Sequence, residues 1–567
     1  MAIACTINKK EQVIMKLTGG QIVLEILLEH GVDTIFGYPG GAALNVYDAV
    51  HEYSDKIKHV LTAHEQGASH AADGYARASG KTGVVMATSG PGATNLITGI
   101  ATAFMDSVPM VAITSNVGNP LIGRDAFQEI YITGVTLTIT KHNFFVNKIE
   151  DLAEALREAF RIANSGRKGP VLVDITKDVT AQLYDFEKKK PYPLVELPKA
   201  EDAQIKEIAD IINNAEKPVI YLGGGVVAAG ADKELIALVQ KAEIPVAHTM
   251  MATGVLESDD EKNLGLLGMH GTVTANKVVH DSDCLIALGT RFSDRVALNT
   301  GEFAKKAKKI HVDIDKSEVN KNVAVDIAVI SDVKYLLKKL VPLIKEKKRP
   351  KYFKQIAEWK KQYKVNKDDA KKIKPHQLIG KICDMTDKDT IYVTDVGQHQ
   401  MWSAQNVKHK KTRSFLTSGG LGSMGYGYGA SIGAQKAFPN KRVIHLTGDG
   451  SFHMNMNEAC TAVSYKLPII TVILNNSVLG MVFQWQNTFY GGRLSATTPE
   501  RKTDFVKIAE GFGAKGFSAN TLAEFEEVFA KALKEKGPVW IDCKIDKNEK
   551  VLPMIPNGAT VEDIILE

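Results

Sequence analysis

Short apolar runs rich in Val and Ile recur along the chain, each bounded by Gly, Pro or Asp and followed by residues at helical spacing. Between Lys16 and Tyr184 they are DTIFGYP (33–39), TGVVMATSGPG (82–92), PMVAITS (109–115) and GPVLVDIT (169–176). KPVIYLGGGV, IPVAHTM, DCLIALGTRF, KKIHVDID and IAVISD follow between 217 and 332. DTIYVTDVG, RSFLTSG, KRVIHLTGDG, PIITVILNN and PVWIDCKI close the chain between 389 and 545. Runs this short and apolar, alternating with helices, predict parallel strands buried on both faces. Three such blocks in succession predict an α/β chain of three doubly wound parallel-sheet domains. Polar, proline-bearing joints divide it into 1–184, a linker at 185–200, 201–343, a basic linker helix at 344–374, 375–545, and a tail at 546–567. No short-period repeat is present, though the first and third blocks could be related copies.

Composition narrows the class. Five cysteines in 567 residues, at 5, 284, 383, 460 and 543, form no C-x-x-C pair. That predicts reduced thiols in the cytoplasm, with neither a disulfide framework nor a zinc site. The N-terminus has no apolar signal region, and no apolar run reaches the roughly 18 residues that span a bilayer, so no membrane role is expected. The net charge of +5 comes largely from residues 344–375. Phe353, Ile356, Trp359 and Tyr363 fall there at helical spacing, which predicts a solvated surface helix and no nucleic-acid partner.

The chemistry begins at GDGSFHMNMNE (448–458). Asp449 sits between glycines at a strand's carboxyl end, where ligands collect in open parallel sheets. The next strand ends in Asn475-Asn476, 27 positions after Asp449. A carboxylate and an amide oxygen from adjacent strand ends suit Mg²⁺, with room for water and phosphate. Gly450 and Ser451 begin a helix, whose free N–H groups favour an anion.

With this pairing the chain resembles the thiamine diphosphate enzymes, whose metal motif is GDG followed by NN. That family's second mark, a glutamate in the pyrimidine-binding block, is matched by Glu65 in TAHEQGASHAADGYARASGK. A buried carboxylate there can share a proton with the aminopyrimidine of the cofactor. The resemblance narrows through FGYPGGA (36–42), TSGPGATN (88–95), DAFQE (125–129), SGRKGPVLVDITKDV (165–179), LGMHG (267–271), RFSDRV (291–296), DVGQHQMW (395–402), SGGLGSMGYG (418–427), GMVFQWQ (480–486) and VLPMIPNGA (551–559). Together they are similar to the catalytic large subunit of the biosynthetic, flavin-containing acetohydroxyacid synthases.

The resemblance implies a pyrimidine domain and a diphosphate domain flanking a Rossmann-like FAD domain, with thiamine diphosphate, Mg²⁺ and a non-redox FAD as cofactors. Gln398, His399, Gly450, Ser451 and Asn476 would hold the diphosphate. Asp449, Asn476 and the main-chain carbonyl of Val478 would hold Mg²⁺. Met424 would bend the cofactor, with Met454 and Met481 near it. Gly41, Gln128 and Glu65 complete the catalytic set. Arg167, Gly223, Gly224, Gly225, His270, Gly271, Arg291, Asp294, Arg295 and Asp313 fall at flavin positions. Phe127, Lys177, Arg295 and Trp485 fall at substrate positions, although Phe127 and Trp485, taken alone, read as packed core aromatics. Two residues depart from the family's pattern. Asn116 replaces a usual glutamine and should loosen hydrogen bonding around the substrate, and Tyr428-Gly429 replaces Leu-Pro and should affect only the start of a helix.

The implied reaction joins pyruvate, with loss of CO₂, to a second pyruvate or to 2-oxobutyrate, as a step toward valine, leucine and isoleucine. Implied partners are a second copy in a homodimer or tetramer and, often in the family, a smaller regulatory subunit. Two rivals share cofactors: a pyruvate oxidase using FAD and thiamine diphosphate, and a flavin-free catabolic acetolactate synthase. Oxygen uptake and a yellow flavin spectrum separate them.

Overall fold

The computed structural model describes residues 14–363, 368–369 and 371–567. The chain divides into two compact units. One comprises residues up to Ala72 with Thr82–Val195; the other comprises Asp73–Lys81 with Glu196–Glu567.

The first unit holds one six-stranded parallel sheet. In space its strands run Lys58–Leu61, Thr34–Gly37, Gly83–Ala87, Met110–Asn116, Pro170–Thr176, His142–Val146. In chain order this is 2-1-3-4-6-5. The three central strands, GVVMA, MVAITSN and PVLVDIT, are buried at every position. Helix Ile149–Asn164 covers one face with Leu152, Leu156, Ala159, Phe160 and Ala163, spaced three and four apart. A two-stranded antiparallel ribbon, Ile14–Thr18 with Leu183–Glu187, lies beside it. Next to that ribbon the buried Arg157 meets Glu29 through two bonds of 2.9 Å and donates to Glu187 O.

The second unit holds two parallel sheets. The central one has spatial order Asn263–Leu266, Val246–His248, Pro218–Leu222, Cys284–Leu288, Lys308–Asp313, Ile327–Ile330, or 3-2-1-4-5-6 in chain order. That is the dinucleotide-binding order. The last sheet runs Phe415–Leu416, Ile391–Thr394, Val443–Gly448, Ile470–Asn475, Val539–Lys544, Lys515–Ala519. Its order is 2-1-3-4-6-5 again, the same as in the first unit.

The basic segment is less solvated than its charge suggests. Helix Pro350–Gln362 buries Tyr352 and Ile356, and packs Phe353 and Trp359 against the central sheet's core. Arg349 is buried because its guanidinium caps the carbonyls of Ala215, Glu216 and Ala242. The rest of that segment extends through positions 364–367 and 370, outside the described residues, as does Cys5.

Candidate active site

The last sheet reverses its order between Ile391–Thr394 and Val443–Gly448, and loops beyond such a reversal part to leave a crevice. From the first strand the chain passes Gly397, at φ +150°, into helix Gln398–Asn406; from the second it enters helix Asp449–Asn455 directly. The neighbouring strand delivers Asn476, Ser477 and Val478.

These elements bring residues 449 and 476 together. Burial raises the pKa of the Asp449 carboxylate above the usual range, against the pull of the Asn476 backbone N–H that faces it. Asp449 is 6 % exposed, and its Oδ1 has no hydrogen-bond partner among the described residues. An unpartnered, desolvated carboxylate oxygen is costly unless a cation meets it. Asp449 and the Asn476 amide offer hard oxygen donors of the kind Mg²⁺ takes. Beside them His399 is buried, its Nε2 without a partner among the described residues, and burial holds its pKa down to about 4 against the pull of Asp395. Its neutral ring can therefore offer one N–H to a phosphate oxygen.

A chain of amides backs this pocket. Asn476 Nδ2 donates to Gln398 Oε1 at 2.9 Å. Gln398 Nε2 donates to Gln484 Oε1 at 3.0 Å and to Glu549 O at 2.8 Å. Gln484 Nε2 donates to Val551 O, and its Oε1 accepts the Val551 N–H. Trp402 Nε1 donates to Lys550 O. A Cβ on Gly480 would lie 2.0 Å from Gln398 Oε1, so only glycine leaves space for that amide. The side chain of Gln398, expected at the diphosphate, spends both ends on protein groups.

Helix Asp449–Asn455 also fixes the turn carrying Met424. Ser451 Oγ accepts the Gly425 N–H at 3.0 Å, and Asn455 Nδ2 donates to Gly425 O at 2.8 Å. Gly425 has φ +81°. Behind the turn, buried Asp395 accepts from the Gly427 N–H and Thr447 Oγ1. Burial alone would raise the Asp395 pKa, but the His445 ring 3.7 Å away and the Thr447 hydroxyl hold it at about 2. Met454 is exposed, whereas Met481 packs partly against the sheet's core.

In the first unit the equivalent reversal lies between Thr34–Gly37 and Gly83–Ala87. Glu65 opens helix Glu65–Ser79 and is buried; its Oε2 accepts from Asn95 Nδ2 at 2.9 Å. A Cβ on Gly92 would stand 3.2 Å from Glu65 Oε1, and one on Gly40 2.4 Å from Thr88 Cγ2. A Cβ on Gly41 would meet nothing within 4 Å, so packing does not demand glycine there. Gln128, at φ +60°, rests against Gly90. Lys177 is exposed at the start of helix Lys177–Ala181. Arg167 donates to Ser107 Oγ at 2.8 Å.

Models of three domains match the sequence: the thiamine pyrophosphate enzyme N-terminal TPP binding domain over residues 17–135, the central domain over 205–340, and the C-terminal TPP binding domain over 395–543. A probable acetolactate synthase large subunit of Methanocaldococcus jannaschii is 45 % identical over 97 % of this chain and 95 % of its own. The acetolactate synthase large subunit of Porphyra purpurea is 44 % identical over 97 % and 95 %. The mitochondrial acetolactate synthase catalytic subunit of Saccharomyces cerevisiae is 44 % identical over 97 % and 84 %. The chain belongs to the acetolactate synthase family. It is a thiamine diphosphate enzyme.

In this acetolactate synthase chain the central sheet also reverses at glycines. Gly223 N–H bonds Leu288 O and Gly225 N–H bonds Gly289 O, and a Cβ on Gly223 would lie 2.0 Å from Gly289 O. Around the strand ends Thr249 Oγ1, Thr290 Oγ1 and His270 Nδ1 are buried without hydrogen-bond partners among the described residues. Such orphan polar atoms fit a polar ligand like a flavin nucleotide. Burial lowers the His270 pKa to about 4. A Cβ on Gly271 would lie 2.4 Å from Leu266 O. Asp313 ends its strand and accepts the Asp315 N–H. Asp294 and Arg295 are exposed and 3.8 Å apart, and the Arg291 carbonyl accepts from Asn322.

Phe127 is not a core aromatic: it is 87 % exposed. Trp485 is half-buried, edge-on to Phe489 at 5.5 Å, with Nε1 shielded and unpartnered. The two departures also read differently in three dimensions. Asn116 donates to Asp174 Oδ2 and accepts the Val117 N–H, so its amide is engaged by protein groups. Tyr428 is buried, stacks on His445 at 5.6 Å and accepts from Trp540 Nε1, so it acts in packing well beyond the start of the helix. Sequence reasoning passed over Asn95, Thr249, Thr290 and Gln484. Asn95 and Gln484 stand inside motifs already quoted; nothing local marks the two threonines.

Proposed function

We propose that this enzyme joins pyruvate, with loss of CO₂, to a second pyruvate or to 2-oxobutyrate, giving 2-acetolactate or 2-aceto-2-hydroxybutyrate for branched-chain amino-acid synthesis. The observation that carries it is the unpartnered Asp449 oxygen beside the Asn476 N–H, a pocket suited to a cation that itself binds a diphosphate. Mg²⁺ would be held by Asp449, Asn476 and the Val478 carbonyl. His399, Gly450, Ser451 and Asn476 would receive the phosphates, and Gln398 would stiffen the pocket through its amide bonds. Thiamine diphosphate, when bound, supplies the electron sink that 2-oxoacid decarboxylation needs.

Glu65 would hold a proton at the ring nitrogen of the aminopyrimidine, oriented by Asn95. Met424 would support the bent cofactor from its pinned turn. Gly41 leaves open space and Gln128 places an amide beside the reacting atoms, where excluded water favours a ketoacid over a proton. Phe127 and Trp485 would contact the acceptor, with Lys177 and Arg295 drawing in its carboxylate. FAD would lie along Gly223–Gly225, His270–Gly271, Arg291, Asp294 and Asp313, with Arg167, in a non-redox role.

A homodimer is the smallest working form in this scheme, and it would work in the cytoplasm. Leu121, Phe127, Tyr131 and Leu137, all within residues 121–137 of the first unit, are exposed large apolar side chains, which a second copy could cover. Among the described residues no helix is long and apolar enough to cross a membrane. Product analysis with pyruvate alone, then with added 2-oxobutyrate, tests the scheme. Both acetohydroxyacids should appear, and pyruvate-dependent oxygen uptake without them would refute it.

A further inference from the structure

Asp174 is a buried carboxylate that the proposed reaction does not use. Strands Met110–Asn116 and Pro170–Thr176 pair with Thr114 opposite Asp174. Thr114 and Asn116, two positions apart, therefore share the sheet face beside it. Thr114 Oγ1 donates to Asp174 Oδ1 and Asn116 Nδ2 to Oδ2, each at 2.7 Å. Burial pushes this carboxyl up to about 6 despite both bonds.

Asn116 faces two ways. Its Oδ1 accepts the Val117 N–H at 2.8 Å, and Nδ2 also lies 3.5 Å from Ile130 O. Val117 and Ile130 are the two ends of the loop that carries Phe127 and Gln128. Within that loop Glu129 gathers the N–H groups of Gly123 and Ala126, and Asp178 holds Asn119 by two bonds. Asp125 and Gln128 adopt φ +52° and +60°, conformations that persist only where the surroundings over-determine them. Gly90 lets Gln128 sit close: a Cβ there would be 2.7 Å from Gln128 Cβ.

We propose that the Asn116–Asp174 pair is a positioning device that fixes the stance of the Phe127–Gln128 loop and through it the choice of acceptor 2-oxoacid. The proposal rests on the acceptor role given to Phe127 above. Asparagine's short arm lets one amide serve Asp174 and the loop's first N–H together. Thr114 grips the same carboxylate without touching the loop, which separates positioning from general stability.

The test is a competition assay with pyruvate and 2-oxobutyrate, reading the ratio of the two products. Asn116→Ala should shift that ratio by roughly tenfold, the scale on which pocket contacts discriminate one methylene. Thr114→Val should lower the melting temperature and leave the ratio as in the wild type. The exchange Asn116→Asp with Asp174→Asn, which rebuilds the bond between the two side chains with donor and acceptor reversed and leaves the Val117 N–H and the Thr114 hydroxyl an acceptor each, should restore it. An unchanged ratio in Asn116→Ala, an equal shift in Thr114→Val, or a folded exchange variant that does not recover would each overturn the proposal. If Asn116→Ala does not fold, Asp174→Asn carries the same test. A wild type that makes neither product would instead sink the functional scheme.

Discussion

The first and last sheets share one strand order and put their crevices at the same reversal, yet their loops prepare opposite surroundings. At the last sheet a carboxylate, Asp449, keeps one oxygen unpartnered and buried beside a neutral, equally unpartnered His399 nitrogen. At the first sheet the carboxylate of Glu65 is bonded by Asn95, and glycines 40, 41, 90 and 92 line the surroundings. One crevice holds a carboxylate oxygen that no described residue meets; the other holds a carboxylate already oriented by an amide. The scaffold is common, and the chemistry lies in the few residues after each strand.

The sharpest way to break this contrast is Asp449→Ala. Activity should fall on the order of 10³-fold, as when one electrostatic anchor is removed. Mg²⁺ binding followed by calorimetry should vanish, while the metal-free protein melts no lower than wild type, because a buried unpaired charge has gone. A large drop in metal-free melting temperature would make Asp449 a structural residue. Glu65→Gln should cost roughly 10²-fold, within the span of proton-transfer catalysis, and leave Mg²⁺ affinity untouched. Loss of Mg²⁺ binding in that variant would erase the division of labour.

The same contrast shows what could be read from the chain alone. The paired GDG and NN segments are legible because strand ends adjacent in the sheet are also near in sequence. Every strand that the apolar pattern missed within the three sheets lies at an edge: Lys58–Leu61, His142–Val146, Asn263–Leu266 and Lys515–Ala519. Edge strands are half-solvated or short, so KHVL and KGFSA carry polar residues where a central strand carries Val or Ile. The pairings between distant residues were also silent, even where one partner stood out. Gln398 and Gln484 are 86 positions apart, and Asn116 and Asp174 58. The exposure of Phe127 was hidden because an aromatic flanked by Ala and Gln does not reveal which way its loop turns.

Two smaller effects sharpen the picture. Trp485→Leu should reduce preference for 2-oxobutyrate by roughly tenfold in competition, the worth of one methylene contact, and unchanged ratios would remove Trp485 from acceptor choice. The second concerns acid. His399 has a folded pKa of about 4, below the unfolded 6.5. Its neutral burial therefore contributes stability above pH 6.5 that is lost as pH falls toward 4, by up to about 3 kcal/mol. His59, in the first sheet, is lowered by burial to about 4 in the same way. Thermal melts between pH 7 and 4 should show a shallower acid decline for His399→Gln and for His59→Gln than for wild type.

The hold on residues 549–551 uses their peptide groups: three carbonyls and one N–H meet Gln398, Trp402 and Gln484, while the Val551 side chain fills the core and Glu549 pairs with Lys374. A grip on the peptide alone is indifferent to the side chain it carries, as at the exposed Lys550. Substitutions there that keep the peptide intact leave the grip as it was, whereas proline at Val551 deletes the only N–H in the set. Genetic drift can thus rewrite the exposed Lys550 freely, whereas the position of Val551 must stay apolar to fill the space beneath it.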